Sequence, residues 1–177
     1  TQVGNTALNL SPGVNGGVDF YSAIINGSLI VSAGNVTTRN STYASTVNLT
    51  KLSGSVSNSS AGGNTFASTL TMNYTSTSGT GYWGMGNGSA DIYNGDVTVN
   101  NNSLDRIIFS QNSSGNQFNG NVTLTQIGSS VGTALAWSAS SNCALASGKA
   151  LSIGGAGYSV GWLYWLGLTQ AGSTAIN

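Results

Sequence analysis

The sequence contains no histidine, no glutamate, one cysteine and one proline among its 177 residues. Charged residues make up only 5% of the chain, against roughly 25% in ordinary globular domains. The four bases, Arg39, Lys51, Arg106 and Lys149, are scattered along the chain. Because contact with phosphates needs clustered lysine and arginine, we expect no nucleic acid partner.

Few side chains are available for acid–base catalysis, because the chain has no histidine and its four acids are all aspartates. Glycoside hydrolysis needs paired carboxylates, and Asp91 and Asp96 lie in one stretch, with Asp105 not far beyond. However, Asp96 has outward strand parity and Asp105 follows a loop-like Asn-rich run. The lone Cys143 has no histidine to activate it and reads as a small buried hydrophobe. We predict no catalytic residue, no metal site, no cofactor and no enzymatic activity.

The chain also lacks a long apolar run. The most apolar stretch, Val160 to Leu168, has nine residues and includes two glycines. A membrane-spanning helix needs roughly 20 apolar residues, so no membrane insertion is expected. Disorder is equally unsuited to the composition, because 39% of the residues are hydrophobic and 15 are aromatic. One folded domain over residues 1–177 is the expectation.

Small polar residues dominate instead: Gly, Ser, Thr and Asn supply 94 of the 177 residues. An eight-residue pattern also recurs along the chain. It begins with a large apolar residue, has a small Ser or Gly two places later, and ends with two aliphatic residues that alternate with polar ones. The clean copies span residues 25–125 and begin at Ile25, Tyr43, Phe66, Tyr93 and Phe118. Their spacings are 18, 23, 27 and 25 residues, and a degenerate copy near Ser147 to Ile153 lies within the looser region 126–177.

The alternation inside each copy has the period of two that is typical of a half-buried β-strand. It predicts that the aliphatic positions point inward, as at Val47, Leu49, Val97 and Val99. A second β-prone run precedes four of the copy positions, so each repeat carries at least two short strands. These runs contain Trp83, Ile108, Trp137 and Trp165, for example. For the last of them, Trp162 to Trp165, core packing is favoured over a carbohydrate-stacking platform.

A unit of about 25 residues cannot bury its own apolar face, so the copies must stack. Stacking equivalent strands in parallel gives an all-β parallel β-solenoid, in which polar side chains can bond to one another at the strand spacing of about 4.8 Å. The alternative is an antiparallel β-sandwich with short strands at regular spacing. Similarity between copies favours the solenoid, because sandwich strands have no reason to resemble one another.

The outward positions of the copies form a flat, uncharged array of threonine and asparagine. Such a surface suits ordered water, a saccharide or a solid surface, and its ladders resemble those of β-solenoid ice-binding proteins. A solvated solenoid face without a ligand is the favoured interpretation. The candidate binding face comprises Thr46, Asn48, Thr50, Thr69, Thr71, Thr98, Asn121, Thr123 and Thr125.

Runs such as Gly-Asn-Thr-Phe66-Ala-Ser-Thr-Leu-Thr resemble the repeats of long, secreted bacterial surface proteins of the adhesin type. The resemblance lies in repeat style. It implies a secreted, extracellular or cell-surface location and a non-enzymatic role as a rigid scaffold or surface-binding stalk. Ice or glycan binding is the alternative function, and a polysaccharide lyase or hydrolase is the least favoured.

The end of the chain carries one further expectation. Ile176-Asn177 matches the opening pair of the pattern, as in Ile25-Asn26, so the chain is predicted to stop two residues into another copy. A solenoid end without a cap exposes unpaired strand edges. We therefore expect a segment of a longer repetitive chain, and further copies of the repeat or neighbouring subunits as partners, with carbohydrate or solid surfaces as other candidates.

Overall fold

The computed structural model describes residues 1–53, 58–77, 81–126, 132–136, 141–154, 162–165, 167–172 and 175–177. Within these ranges the chain forms strands and no helix. The strands are β1 (Leu8–Tyr21), β2 (Ile24–Ile25), β3 (Leu29–Arg39), β4 (Thr42–Tyr43), β5 (Val47–Lys51), β6 (Asn58–Ser59), β7 (Thr65–Phe66), β8 (Leu70–Tyr74), β9 (Tyr82–Gly84), β10 (Ile92–Tyr93), β11 (Val97–Asn101), β12 (Arg106–Ile108), β13 (Asn116–Phe118), β14 (Val122–Gln126), β15 (Gly132–Ala136), β16 (Cys143–Leu145), β17 (Ala150–Ile153), β18 (Trp162–Trp165), β19 (Leu168–Gln170) and β20 (Ala175–Ile176).

The strands form three sheets, and each sheet collects equivalent strands from successive turns of the chain. The first sheet has the order β1-β3-β5-β8-β11-β14-β17-β20, the second β2-β4-β7-β10-β13-β16-β19, and the third β6-β9-β12-β15-β18. Every strand pair among the described residues is parallel. The fold is a parallel β-solenoid of about six turns with coils of about 24 residues. The solenoid prediction is confirmed, and the antiparallel sandwich is excluded.

The eight-residue pattern spans a corner between two sheets. Its first part forms a two-residue strand such as β4, and its second part forms a five-residue strand such as β5. The Gly or Ser position between them is the narrow corner that the pattern predicts: a side chain at Gly95 would overlap the backbone of Ser68 in the preceding coil. The separate β-prone runs form the third sheet, so a coil has three strands where the sequence indicated at least two.

A second corner precedes each strand of the second sheet. The backbone there turns through the left-handed region at Asn40, with φ of 49°, and at Gly63 and Gly115, with φ of 74° and 85°. Asparagine and glycine are the residues that adopt this conformation at least cost. This turn explains the Asn or Gly before β4, β7 and β13, and Ser22, with φ of 51°, takes the same conformation before β2.

The interior is closely filled by side chains that repeat from coil to coil. Tyr43, Phe66, Tyr93 and Phe118 stack face to face, with ring centroids 4.8, 5.3 and 4.8 Å apart. The ten inward aliphatic residues of the five clean copies are all buried: Leu29, Val31, Val47, Leu49, Leu70, Met72, Val97, Val99, Val122 and Leu124. Thr46 and Thr123 are exposed as predicted, whereas Thr71 and Thr98 are half-buried because the outward columns pack against their neighbours.

The structure corrects the register of the last copies. Phe118 pairs with Leu145, and Val122 pairs with Leu151. The degenerate copy therefore begins at Leu145, not near Ser147, and has two extra residues in its corner. Ile176 pairs with Leu151 in the first sheet and so occupies an aliphatic position of the pattern, not its opening position. The opening position of that coil is Gln170, which pairs with Leu145.

Candidate surface-binding face

The candidate face lies along the outer side of the first sheet, and β5, β8, β11 and β14 hold it in register. Asn48 pairs with Thr71, Thr71 with Thr98, and Thr98 with Thr123. These residues alternate with buried aliphatic residues, which fixes their outward direction. The five-residue strands thus produce a regular row of short polar side chains at the strand spacing of about 4.8 Å.

All nine predicted face residues are solvent-accessible, to different degrees. Thr46, Asn48, Thr69, Asn121 and Thr123 are exposed, and Thr50, Thr71, Thr98 and Thr125 are half-buried. Thr46, Thr69 and Asn121 stand at the corner before the strands, and the other six stand on the strands themselves. The structure therefore brings the predicted residues together on one side of the solenoid.

Asparagine side chains on this face bond to one another. Asn73 Nδ2 donates to Asn48 Oδ1 at 2.9 Å, and Asn100 Nδ2 donates to Asn73 Oδ1 at 2.9 Å. We call Asn48, Asn73 and Asn100 the outer asparagine ladder. Its amide groups are engaged in coil-to-coil bonds, which stiffens the face and leaves fewer of them for a ligand.

The corner column of this face has a structural role as well. Asp96 Oδ1 accepts the backbone N–H of Asn121 at 2.8 Å, and Asn121 Oδ1 accepts the N–H of Ala150 at 3.1 Å. Each side chain thereby ties its corner to the next coil. The exposure of Asp96 agrees with its predicted outward parity.

A matching ladder lies inside the solenoid at the second corner. Ser41 N–H donates to Asn64 Oδ1 at 3.2 Å, Asn64 N–H to Asp91 Oδ1 at 2.9 Å, and Asp91 N–H to Asn116 Oδ1 at 2.8 Å. We call Asn64, Asp91 and Asn116 the inner corner ladder. All three are buried. This ladder was not predicted from the sequence, although a polar residue two places before each opening aromatic was a signal for it.

The environment of Asp91 differs from that of Asp96. Burial raises the pKa of Asp91 to about 6, while hydrogen bonds from the Asn64 backbone, the Asn64 side chain and the Tyr93 hydroxyl oppose that rise. Asp91 is inside the solenoid and Asp96 is on its surface. The two carboxylates therefore do not face one sugar bond, as paired glycosidase carboxylates must.

The remaining interior charges form a cluster that the sequence analysis also missed. Lys51 Nζ donates to the Tyr74 hydroxyl at 2.9 Å, and that hydroxyl donates to Asp105 Oδ2 at 2.8 Å. Asp105 Oδ1 also accepts the N–H of Gly81 at 2.9 Å. Burial lowers the pKa of Lys51 to about 8, and the charge of Asp105 opposes this. Asp105 lies in the bend between β11 and β12, as its position after the Asn-rich run predicted, and its carboxylate is buried there.

Cys143 and the late tryptophans are the other residues that could carry chemistry. Cys143 is buried as predicted, and burial raises the pKa of its thiol to about 12. Within the described ranges no three His, Cys, Asp or Glu side chains gather in a way that would hold a metal ion. Leu163 packs against the core, while the side chains of Trp162 and Trp165, and all of Trp137, lie outside the described part of the structure.

The fold and this face define the class of the chain, a parallel β-solenoid repeat protein with stacked polar ladders. Compared with protein-family models, with curated proteins and with solved structures, the chain matches none of them. In the described residues, no helix is long and apolar enough to cross a membrane.

Proposed function

We propose that the chain is a non-enzymatic scaffold segment of an extracellular or cell-surface protein. Its role is to act as a rigid spacer or surface-binding stalk. The observation that carries this proposal is the unbroken column from Asn9 through Asn48 and Thr98 to Ser152, which stays in register over six coil steps. A column in continuous register keeps its two ends at a fixed distance along the axis, because no step of it acts as a hinge.

Three features support rigidity over a catalytic role. The aromatic stack from Tyr43 to Phe118 fills the centre of the coils. The inner corner ladder ties successive coils inside the solenoid, and the outer asparagine ladder ties them on its outer surface. The near absence of surface charge suits stacked identical side chains, because like charges at strand spacing repel. A secreted location and partners such as further copies of the repeat belong to the same proposal.

Rigidity is tested by electron–electron distance measurement between spin labels at Asn9→Cys and Ser152→Cys, in a Cys143→Ala background. Six steps of about 4.8 Å predict one narrow distance near 29 Å, widened only by the label linkers. A broad or multi-peaked distribution would refute the spacer proposal. Labels at Asn48→Cys and Ser152→Cys are the internal control, since they span four steps and should give a distance about 10 Å shorter.

The second candidate function is binding of ice or a glycan by the flat face. The regular in-register row of Thr71, Thr98 and Thr123 favours it. Thermal hysteresis, or co-sedimentation with insoluble cellulose or chitin, would detect such binding, and Thr71→Tyr should abolish it by breaking the flat surface. Thr42→Tyr is the matched control, because Thr42 is exposed on the second sheet. A scaffold without a ligand face stays in the supernatant and shows no hysteresis.

The proposal also predicts that the chain has no enzymatic activity on polysaccharides. We expect no release of reducing ends or unsaturated products from any polysaccharide offered. Cleavage that disappears in Asp91→Ala or Asp96→Ala would overturn the non-enzymatic assignment. A stability measurement on both variants separates lost chemistry from lost folding, because Asp91 is buried and Asp96 is exposed.

A further inference from the structure

A groove opens on the outer surface where the later part of β3 meets the third sheet. Its volume is about 210 Å³, and it is lined by Asp19, Thr37, Arg39, Ser59 and Ala61. These residues come from β1, β3 and the region of β6, so the groove crosses successive coils. We call it the Asp19–Arg39 groove. It lies away from the candidate face, whose residues stand on the first sheet and the corner that precedes it.

Two opposite charges are held side by side in this groove. Arg39 Nη2 donates to Asp19 Oδ2 at 2.5 Å, and Thr37 Oγ1 donates to Asp19 Oδ1 at 2.9 Å. The Arg39 guanidinium carbon also lies 4.8 Å from the centre of the Tyr21 ring. Both charged side chains remain almost half exposed, at 45% and 44%. The pair is therefore fixed in position yet open to a ligand.

Stability alone gives a weak reason for this pair, because an exposed ion pair contributes only about 0–1 kcal/mol. The other aspartates bond to the backbone or are buried: Asp91 and Asp105 are buried and hydrogen-bonded, and Asp96 accepts a backbone N–H of the next coil. The Asp19 carboxylate accepts from the side chains of Thr37 and Arg39 and stays almost half exposed. In a chain with only four acids and four bases, an ion pair placed in a groove is a distinctive use of charge.

The polar lining of the groove also includes Ser59, which is held by hydrogen bonds from behind the groove. Ser59 Oγ lies 2.7 Å from Gln111 Oε1, to which it donates, and 3.1 Å from the Tyr82 hydroxyl. The lining thus offers a hydroxyl together with a carboxylate and a guanidinium, and Ala61 adds a small apolar surface.

We propose that the Asp19–Arg39 groove binds one ring of a neutral saccharide. A carboxylate beside a guanidinium presents acceptors next to donors, which suits the neighbouring hydroxyls of a sugar, since each hydroxyl both donates and accepts. The paired charges cancel, so the groove does not select for an ion. Its volume is below the roughly 300–1,000 Å³ of pockets for drug-sized ligands, and its open shape lets a longer glycan continue outward. This inference goes beyond the scaffold proposal and does not depend on it.

The test uses the whole chain and four probes: the methyl glycosides of glucose, galactose, mannose and N-acetylglucosamine. Two-dimensional ¹H–¹⁵N NMR titration should give saturable shifts with at least one of them, centred on the amides of Asp19, Thr37, Arg39 and Ser59. Asp19→Ala should weaken the response at least tenfold. Its unfolding temperature should stay close to that of the native chain, because the pair is exposed.

The matched control is Asp96→Ala, which removes an exposed aspartate from the corner between β10 and β11, outside the groove lining, and should leave the titration unchanged. Absence of shifts with all four glycosides at tens of millimolar would overturn the proposal. Shifts that persist in Asp19→Ala, or that centre on Thr71 and Thr98, would also overturn it. In that last case the glycan site would be the flat face. The spin-label distance measurement would still test the rigid-spacer proposal independently.

Discussion

The inner corner ladder and the outer asparagine ladder are similar columns of hydrogen-bonded side chains, one in the buried interior and one at the solvent-accessible surface. Both use amide or carboxyl side chains that repeat once per coil and bond along the axis. The inner side chains accept from backbone N–H groups and are buried, whereas the outer ones bond side chain to side chain and are partly or fully exposed. An unmade bond is costly only where water cannot replace it. Burial, not chemistry, therefore decides which ladder the fold depends on.

The largest expected effect comes from placing a charge on the inward side of a strand. Val97→Asp should destabilise the chain by several kcal/mol, because it loses the burial of a valine and introduces an unpaired charge into the core. Thr98→Asp, its neighbour on the outer side, should cost much less, since Thr98 keeps contact with solvent. Urea unfolding of both variants measures the difference, and similar losses in the two would show that the strand register is wrong.

The pattern of alternation in the sequence was sufficient to predict this inward and outward division. Val47, Val97 and Val122 repeat at the same place in each copy, and repetition combined with a period of two leaves few folds open. The inner corner ladder was harder to predict, because Asn64 and Asp91 differ in residue type and share the ability to accept a hydrogen bond. Its signal in the sequence is a polar residue two places before each opening aromatic, which does not show that the side chain bonds to the backbone of another coil.

The groove and the Lys51 cluster were unpredictable for a related reason. Lys51 and Asp105 are 54 positions apart in the chain, and Tyr74 joins them only after coils of unequal length have been aligned. The corners contain insertions of varying length, such as the two extra residues after Leu145. Residues that a fixed repeat period would align are therefore not the residues that pair. The same insertions caused the wrong register at Ile176.

The pH dependence of stability sharpens the comparison of the ladders. The folded-state pKa of Asp91 is about 6, above its ordinary 3.8, so folding favours the protonated carboxyl. Its stabilising contribution is fully present below about pH 4 and is lost as the pH rises through about 6. A shift of this size corresponds to about 3 kcal/mol.

Asp91→Asn should remove this pH dependence, because it places a neutral amide between Asn64 and Asn116 in the inner corner ladder. Thermal unfolding between pH 4 and pH 8 would measure it. Asp96→Asn is the matched control on the outer surface and should keep the native profile. An Asp91→Asn variant whose stability still falls between pH 4 and pH 8 as in the native chain would contradict the assignment to Asp91.

Truncating one asparagine in each ladder should have a smaller effect on the free energy of unfolding, and the size of the loss should differ between the two ladders. Asn116→Ala leaves the buried Asp91 N–H without its acceptor and should cost about 1–3 kcal/mol. Asn73→Ala removes two bonds of the outer asparagine ladder, yet water reaches the site and the loss should be under about 1 kcal/mol. Chemical denaturation gives both values. Equal losses would mean that burial does not separate the two ladders.

The most direct test of the account is the removal of one complete coil. Deleting residues 71–97 joins Leu70 to Thr98, and because Leu70 pairs with Val97, the chain continues in register. With spin labels at Asn9→Cys and Ser152→Cys and Cys143→Ala in the background, the account predicts a cooperatively folded chain whose label distance shortens by one strand spacing, about 4.8 Å. An unchanged distance, or a broad distribution from a chain that no longer folds, would contradict the stacking of equivalent coils.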